Sequence, residues 1–131
     1  MEDQICLDTD ILVDFLRNKE YALNWIKENK ENSKLATTII NVYELYYGAF
    51  KSKNSEKNLE ALESLIQKLI ILNFSNENAR QAAKQQVELS NKGNEIEVRD
   101  LFIACISKGN GFKLKTNNLK HFSRIEGLSI I

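Results

Sequence analysis

Three acidic residues stand far apart in a chain of 131 residues, and each falls where a strand end or a helix face can present it: Asp8 in ICLDTDILVDFLR, Glu44 in TTIINVYELYYGAF and Asp100 in EIEVRDLFIACISKG. If they converge, they form an oxygen-only site, the donor set that the hard cations Mg²⁺ and Mn²⁺ prefer. Mg²⁺ takes one or two carboxylates and completes its shell with waters and substrate phosphate oxygens, so three acids brought together would suit such an ion. Zinc fits poorly, because the single histidine, His121, and the two cysteines, Cys6 and Cys105, lack zinc-ligand spacing. Each acid also has an ordinary reading: Asp8 as a helix N-cap, Glu44 as a solvated helix residue, Asp100 as a first-turn acid stabilised by ~0.3–1 kcal/mol through the helix dipole. Glu44 resists that reading most, since Val42, Tyr43, Leu45, Tyr46 and Tyr47 surround it and an unpaired buried acid is costly. Glu97, one helical turn before Asp100, is a candidate outer ligand or a solvated first-turn acid. Asp14 is expected to face away from Asp8.

The elements that must position these acids follow from periodicity. Residues 4–7 read as a short buried strand that turns at once into a helix over 9–18, which places Asp8 just past the strand's carboxyl end. A second helix over 20–31 turns Tyr21, Trp25 and Ile26 to the core. A strand at Lys34–Thr38 leads into a helix from Ile39 to Lys51, with Asn41, Glu44 and Gly48 along one side. Further helices are expected at 56–68, capped by Ser55, at about 76–92, capped by Ser75, and at 97–108, closed by Gly109 and Gly111. Strands at 70–73, 112–115 and, as a last edge, 128–131 complete the pattern. Short apolar strands separated by helices predict an α/β fold: three α/β/α layers around a central parallel sheet of four to five short strands. In that layout Thr116 shares the sheet edge of Asp8.

Composition narrows the function classes. The chain has the length of one domain, and neither proline nor a composition shift marks a linker, so residues 1–131 read as a single unit. Eighteen basic residues balance eighteen acidic ones, so no global positive field draws the protein to nucleic acid. Any RNA contact must be local, with Arg17, Lys115, Lys120 and Arg124 as candidates; solvated surface charge accounts for them equally well. The cysteines read as small buried hydrophobes in a reducing cytosol. No apolar run approaches the ~20 residues of a membrane span, and a cytoplasmic protein is expected. The aromatic set Tyr43, Tyr46, Tyr47 and Phe50 covers more of its helix than one core face needs: core packing accounts for it, or part of this surface with the Trp25 helix forms a dimer contact or a partner groove.

Four segments in order, DTDILVDFLR, TTIINVYELYYGAF, IEVRDLFIACIS and LKTNNLKHFSRIEGL, resemble the successive blocks of PIN-domain ribonucleases of the VapC toxin type over nearly the whole chain. The resemblance implies a PIN-like sheet flanked by helices, Mg²⁺- or Mn²⁺-dependent endoribonuclease activity, a homodimer and control by a small antitoxin protein. It places metal acids on Asp8, Glu44 and Asp100, with Thr9 and Thr116 as polar site residues. The last block departs from the pattern: where many relatives carry a fourth acid, this chain has Thr116-Asn117-Asn118, then His121 before Phe122. Asn118 can donate an oxygen but no charge, and His121 reads as an exposed helix residue. That departure keeps a second expectation open, a catalytically silent PIN-like module that binds RNA or protein. A receiver-type signalling domain is disfavoured, because the middle strands supply no acceptor aspartate.

Overall fold

Burial alternates along the first strand and sets the layers. In the computed structural model, which describes residues 2–131, β1 (Asp3–Leu7) sends Ile5 and Leu7 to one face of the sheet and Cys6 to the other, all three buried. A strand covered on both faces reads as a continuous apolar run, and each Ile or Leu so buried contributes about 1.5–3 kcal/mol. The sheet has four strands in the order β3-β2-β1-β4, all parallel, with β2 at Ser33–Thr38, β3 at Ile70–Leu72 and β4 at Lys113–Lys115. Ile5 pairs with Leu35 on one side, and Leu7 with Lys115 on the other. The predicted last strand, 128–131, is reduced to a single bridge between Ile130 and Leu114.

Two apolar clusters fill the space on either side. One gathers Ile5, Leu7, Ile11, Leu12, Leu45, Ala49, Leu62 and Leu65 under α1 (Thr9–Leu16), α3 (Ile39–Lys51) and α4 (Ser55–Ile66); Trp25 and Ile26 of α2 (Glu20–Asn29) pack against it. The other joins Cys6, Ala36 and Leu114 to α5 (Asn76–Asn91), α6 (Val98–Gly109) and α7 (Leu119–Phe122). Both cysteines are buried and free. Among the described residues, no helix is long and apolar enough to cross a membrane.

Local sequence sets the helix ends. Thr38 and Asn41 form a reciprocal capping box at the start of α3, as Ser75 and Asn78 do at α5. Asn18, with φ of 61°, stops α1 two residues earlier than its periodicity predicts, in the left-handed region that asparagine tolerates. Ser55 does not cap α4 but opens it; Asn54 holds the cap position without a side-chain bond. Tyr21, expected in the core, is 45% exposed.

Candidate active site

Three neighbouring strands end side by side, and each hands a polar residue to the same place. Asp8 follows β1, Thr116 follows β4, and Thr38 closes β2 and starts the helix that carries Asn41. Asp8 caps α1 in extended backbone, with ψ of 162°, and its side chain is held from three sides. Its Oδ1 accepts from the Thr9 amide at 2.9 Å and from Asn41 Nδ2 at 3.1 Å, and its Oδ2 accepts from the Thr116 hydroxyl at 2.7 Å. The residue is only 7% exposed. Burial pushes its carboxyl up to about 6; the Thr116 hydroxyl pulls it back, the charge of Asp10 raises it further, the Thr9 amide lowers it and Asp100 raises it. A carboxylate so placed lacks a counter-charge.

Glu44 projects from α3 to the same spot: Thr9 Oγ1 donates to its Oε1 at 2.8 Å, and Asn41 Nδ2 donates to Thr9 Oγ1 at 2.9 Å. Its Oε2 faces Arg99 Nη1 at 3.4 Å, and Arg99 also reaches Glu97 at 3.6 Å. Asp100, in the first turn of α6, lies 3.4 Å from His121 Nδ1, and Asn118 Nδ2 approaches the same nitrogen at 2.9 Å. The Asp100 carboxyl is also raised, chiefly by burial, with the His121 hydrogen bond opposing and the charge of Glu97 adding to it.

Asp8, Thr9, Asp10, Val13, Asp14, Glu44, Asp100 and Asn118 together line an open recess of about 460 Å³. A larger recess of about 700 Å³ lies beside β3, walled by the amides Asn73, Asn78, Gln81, Gln85 and Asn110. None of the three carboxylates lines it.

The donors suit a hard divalent ion in kind, since the recess presents carboxylate, hydroxyl and amide oxygens and neither thiolate nor imidazole lines it. Among the described residues, no three acids, histidines or cysteines stand close enough together to enclose an ion as they are. Asp8 is turned to Thr116 and Asn41, Glu44 to Thr9 and Arg99, and Asp100 to His121. The Glu44 and Asp100 side chains are 20% and 18% exposed.

The remaining sequence candidates fall in different places. Glu97 caps α6, is exposed and pairs with Arg99 outside the recess. Lys115 sits with Nζ 5.5 Å over the Trp25 ring, Arg17 is exposed at the end of α1, Lys120 is exposed, and Arg124 donates to the Glu95 carbonyl at 2.6 Å. His121 is half-exposed but reaches Asp100 rather than solvent alone. Asp14, expected to face away, lines the recess with Asp10. Sequence reading missed Asn41 as a site residue, although threonine followed three positions later by an amide is a capping-box signal. Arg99 gave no signal, because its pairing depends on α3 meeting α6.

An all-parallel α/β/α sheet with an acidic recess at its strand ends defines the class: an α/β protein whose strand-end recess offers oxygen donors to a cation. Residues 5–128 match the PIN domain, and the chain belongs to the PIN domain family, in its VapC ribonuclease group, a family of divalent-metal-dependent nucleases. It is 32% identical over 122 residues to Ribonuclease VapC2 of Haemophilus influenzae, covering 93% of this chain and 92% of that protein. It is 33% identical over 126 residues to the tRNA(fMet)-specific endonuclease VapC of Salmonella typhimurium, covering 95% and 93%. Among solved structures, VapBC2 from Rickettsia felis bound to a DNA fragment from its promoter superposes with a TM-score of 0.91 at 31% identity, over 98% of this chain and 97% of the other.

Proposed function

We propose that this chain is a single-domain, Mg²⁺-dependent endoribonuclease, with Mn²⁺ as the alternative ion, in which Asp8, Glu44 and Asp100 are the metal ligands, and that it is the toxin of a toxin-antitoxin pair. The observation that carries the reading is Asp8: a carboxylate almost fully buried at a strand end, its pKa raised chiefly by that burial and further by Asp10 and Asp100, held by Thr116 and Asn41, and lining a recess that Glu44 and Asp100 also line. A bound divalent ion supplies neutralisation of the scissile phosphate and acidifies the attacking water. The protein's own residues supply position. Thr116 and Asn41 fix the Asp8 rotamer, Thr9 holds Glu44, and the Asn118 backbone N–H, which donates to Thr116 Oγ1 at 3.0 Å, fixes that hydroxyl in turn. In the proposed reaction a water oxygen bonds to phosphorus, the bond to the leaving ribose oxygen breaks, and that oxygen takes a proton; His121, 3.4 Å from Asp100, is the nearest imidazole able to pass one.

The partners follow from the relatives. Those of known structure include toxin-antitoxin complexes from Rickettsia felis, Salmonella typhimurium and Haemophilus influenzae, which supports a protein antitoxin here. A homodimer through the exposed Tyr43, Tyr47 and Phe50 of α3 is proposed with it, and free buried thiols fit a cytoplasmic setting. A second reading, a silent RNA- or protein-binding module, draws support from Asn118 at the fourth acid's place and from Arg99 occupying Glu44. One experiment separates the two: an RNA panel including tRNA(fMet), incubated with Mg²⁺, Mn²⁺ or EDTA, beside Asp8→Asn. Metal-dependent cleavage lost at least ~100-fold in the mutant is expected; equal cleavage by the mutant refutes the ligand assignment, and no cleavage by either favours the silent module.

A further inference from the structure

Next to the acidic recess stands an aromatic residue that core packing does not explain. Tyr21 and Trp25 lie one turn apart on α2 and so share a face. Trp25 packs against the apolar cluster beneath it, whereas the Tyr21 ring belongs to neither cluster and is 45% exposed. Two tethers nonetheless hold it. Its hydroxyl donates to Asp14 Oδ2 and accepts from Asn117 Nδ2 at 2.8 Å, while the Asn117 backbone amide donates to Asp10 Oδ2 at 2.9 Å. Asp10 and Asp14 both line the recess, so the ring is fixed at its rim from two directions. Lys115 completes the patch, with its ammonium 5.5 Å above the Trp25 ring.

We propose that Tyr21, flanked by Trp25 and Lys115, is a base-stacking subsite for the single-stranded nucleotide next to the scissile phosphate. The inference rests on the ribonuclease reading and extends it to substrate engagement. A base requires a flat, exposed face whose freedom is already restricted, so that little rotamer entropy is lost on binding, and the two hydroxyl bonds provide that restriction. Sequence-tolerant stacking beside one cation is how single strands are held without a global positive field, and this chain has none. Asp10 and Asp14 outnumber the cation beside them, Lys19 at 3.6 Å from Asp14, so the charge around the hydroxyl repels phosphate but not a neutral base, which leaves the phosphate to Lys115.

The test is steady-state cleavage of a single-stranded oligoribonucleotide with Mg²⁺ by the wild type and by Tyr21→Phe, Tyr21→Leu and Lys115→Gln. Tyr21→Leu fills the volume without a π face and should raise KM about five- to hundredfold with the loss in KM rather than kcat. Tyr21→Phe keeps the ring and should recover most of that loss. Lys115→Gln should lower the slope of log affinity against log salt by about 1, which the Tyr21 variants should leave in place. A 2-aminopurine beside the mapped cleavage position should be quenched by cleavage-dead Asp8→Asn carrying Tyr21 or Phe at that position, and not by the Leu version. An active wild type with Tyr21→Leu unchanged overturns the subsite alone; equal loss in Phe and Leu assigns the effect to the hydroxyl network and overturns it too. A change of mass by light scattering in Tyr21→Leu would give the face to a second copy of the chain and likewise overturn it. A wild type that cleaves no RNA removes the ribonuclease reading and the subsite with it.

Discussion

Replacing Asp8 by asparagine should make the metal-free protein more stable while abolishing cleavage. The Asp8 carboxyl titrates at about 6 in the folded chain against an ordinary 3.8. At 1.36 kcal/mol per pKa unit, that difference corresponds to about 3 kcal/mol held as unfavourable charge once the group ionises. The sign is fixed by the direction: a raised acid favours the folded state below pH ~4, and its contribution declines as pH rises to ~6, with the full loss present at neutral pH. Asparagine keeps the shape and most of the bonds. Its oxygen can still accept from Thr9 and Asn41, and its amide can donate to the Thr116 hydroxyl, which rotates to accept. The expected gain is about 1–3 kcal/mol at pH 7.5 in EDTA, or about 5–10 °C in Tm for a domain of this size. Thermal melts of both proteins from pH 4 to pH 8, with EDTA and then with saturating Mg²⁺, read it directly. The gap should vanish near pH 4 and shrink when the ion binds only the wild type. A mutant that melts at or below the wild type at pH 7.5, or a gain that persists unchanged at pH 4, refutes the reasoning.

Three other outcomes are expected. Asn41→Ala removes a fully buried amide that bonds Asp8, Thr9 and Thr38, and should cost about 2–4 kcal/mol in urea unfolding. Arg99→Gln frees Glu44 and should raise Mn²⁺ affinity about two- to fivefold by calorimetry at low salt, with the difference fading at high salt because the pair is partly exposed. The Cys6 thiol is pushed up to about 12 by burial, and the buried Cys105 thiol is raised as well. Neither should react with a thiol reagent at pH 7.5 until urea unfolds the chain, and fast native labelling of Cys6 would contradict its packing.

The parallel sheet was legible because each short apolar run met a helix at a definable junction, and Asp8 and Thr116 could be placed at strand ends from that alone. The Ser75 cap was legible for the same local reason. Asp14 lines the recess, against expectation, because Asp8 is not helical: its ψ of 162° is extended, so helical rotation begins within α1, where Asp10 and Asp14 are four apart and share a face. The spacing from Trp25 points Tyr21 to the core, but a phenol can satisfy its hydroxyl outside, and Asp14 and Asn117 do so. The pairings of Arg99 with Glu44 and of His121 with Asp100 join distant segments, and no local pattern carries such information. The final strand failed because its pairing partner, β4, offers only a short edge.

Asn41 gives the recess an unusual dependence on the helix it belongs to. Its side-chain oxygen receives the Thr38 amide at 3.2 Å and completes the first turn of α3, while its side-chain nitrogen reaches Asp8 and Thr9. Fraying of that turn and disassembly of the recess are therefore one event with one opening free energy. Amide hydrogen exchange at Thr38 and Asn41 should slow when an ion or substrate occupies the recess, and by the same factor at both positions. The start of α3, joined to the recess through one side chain, thus becomes a clock for occupancy of the site.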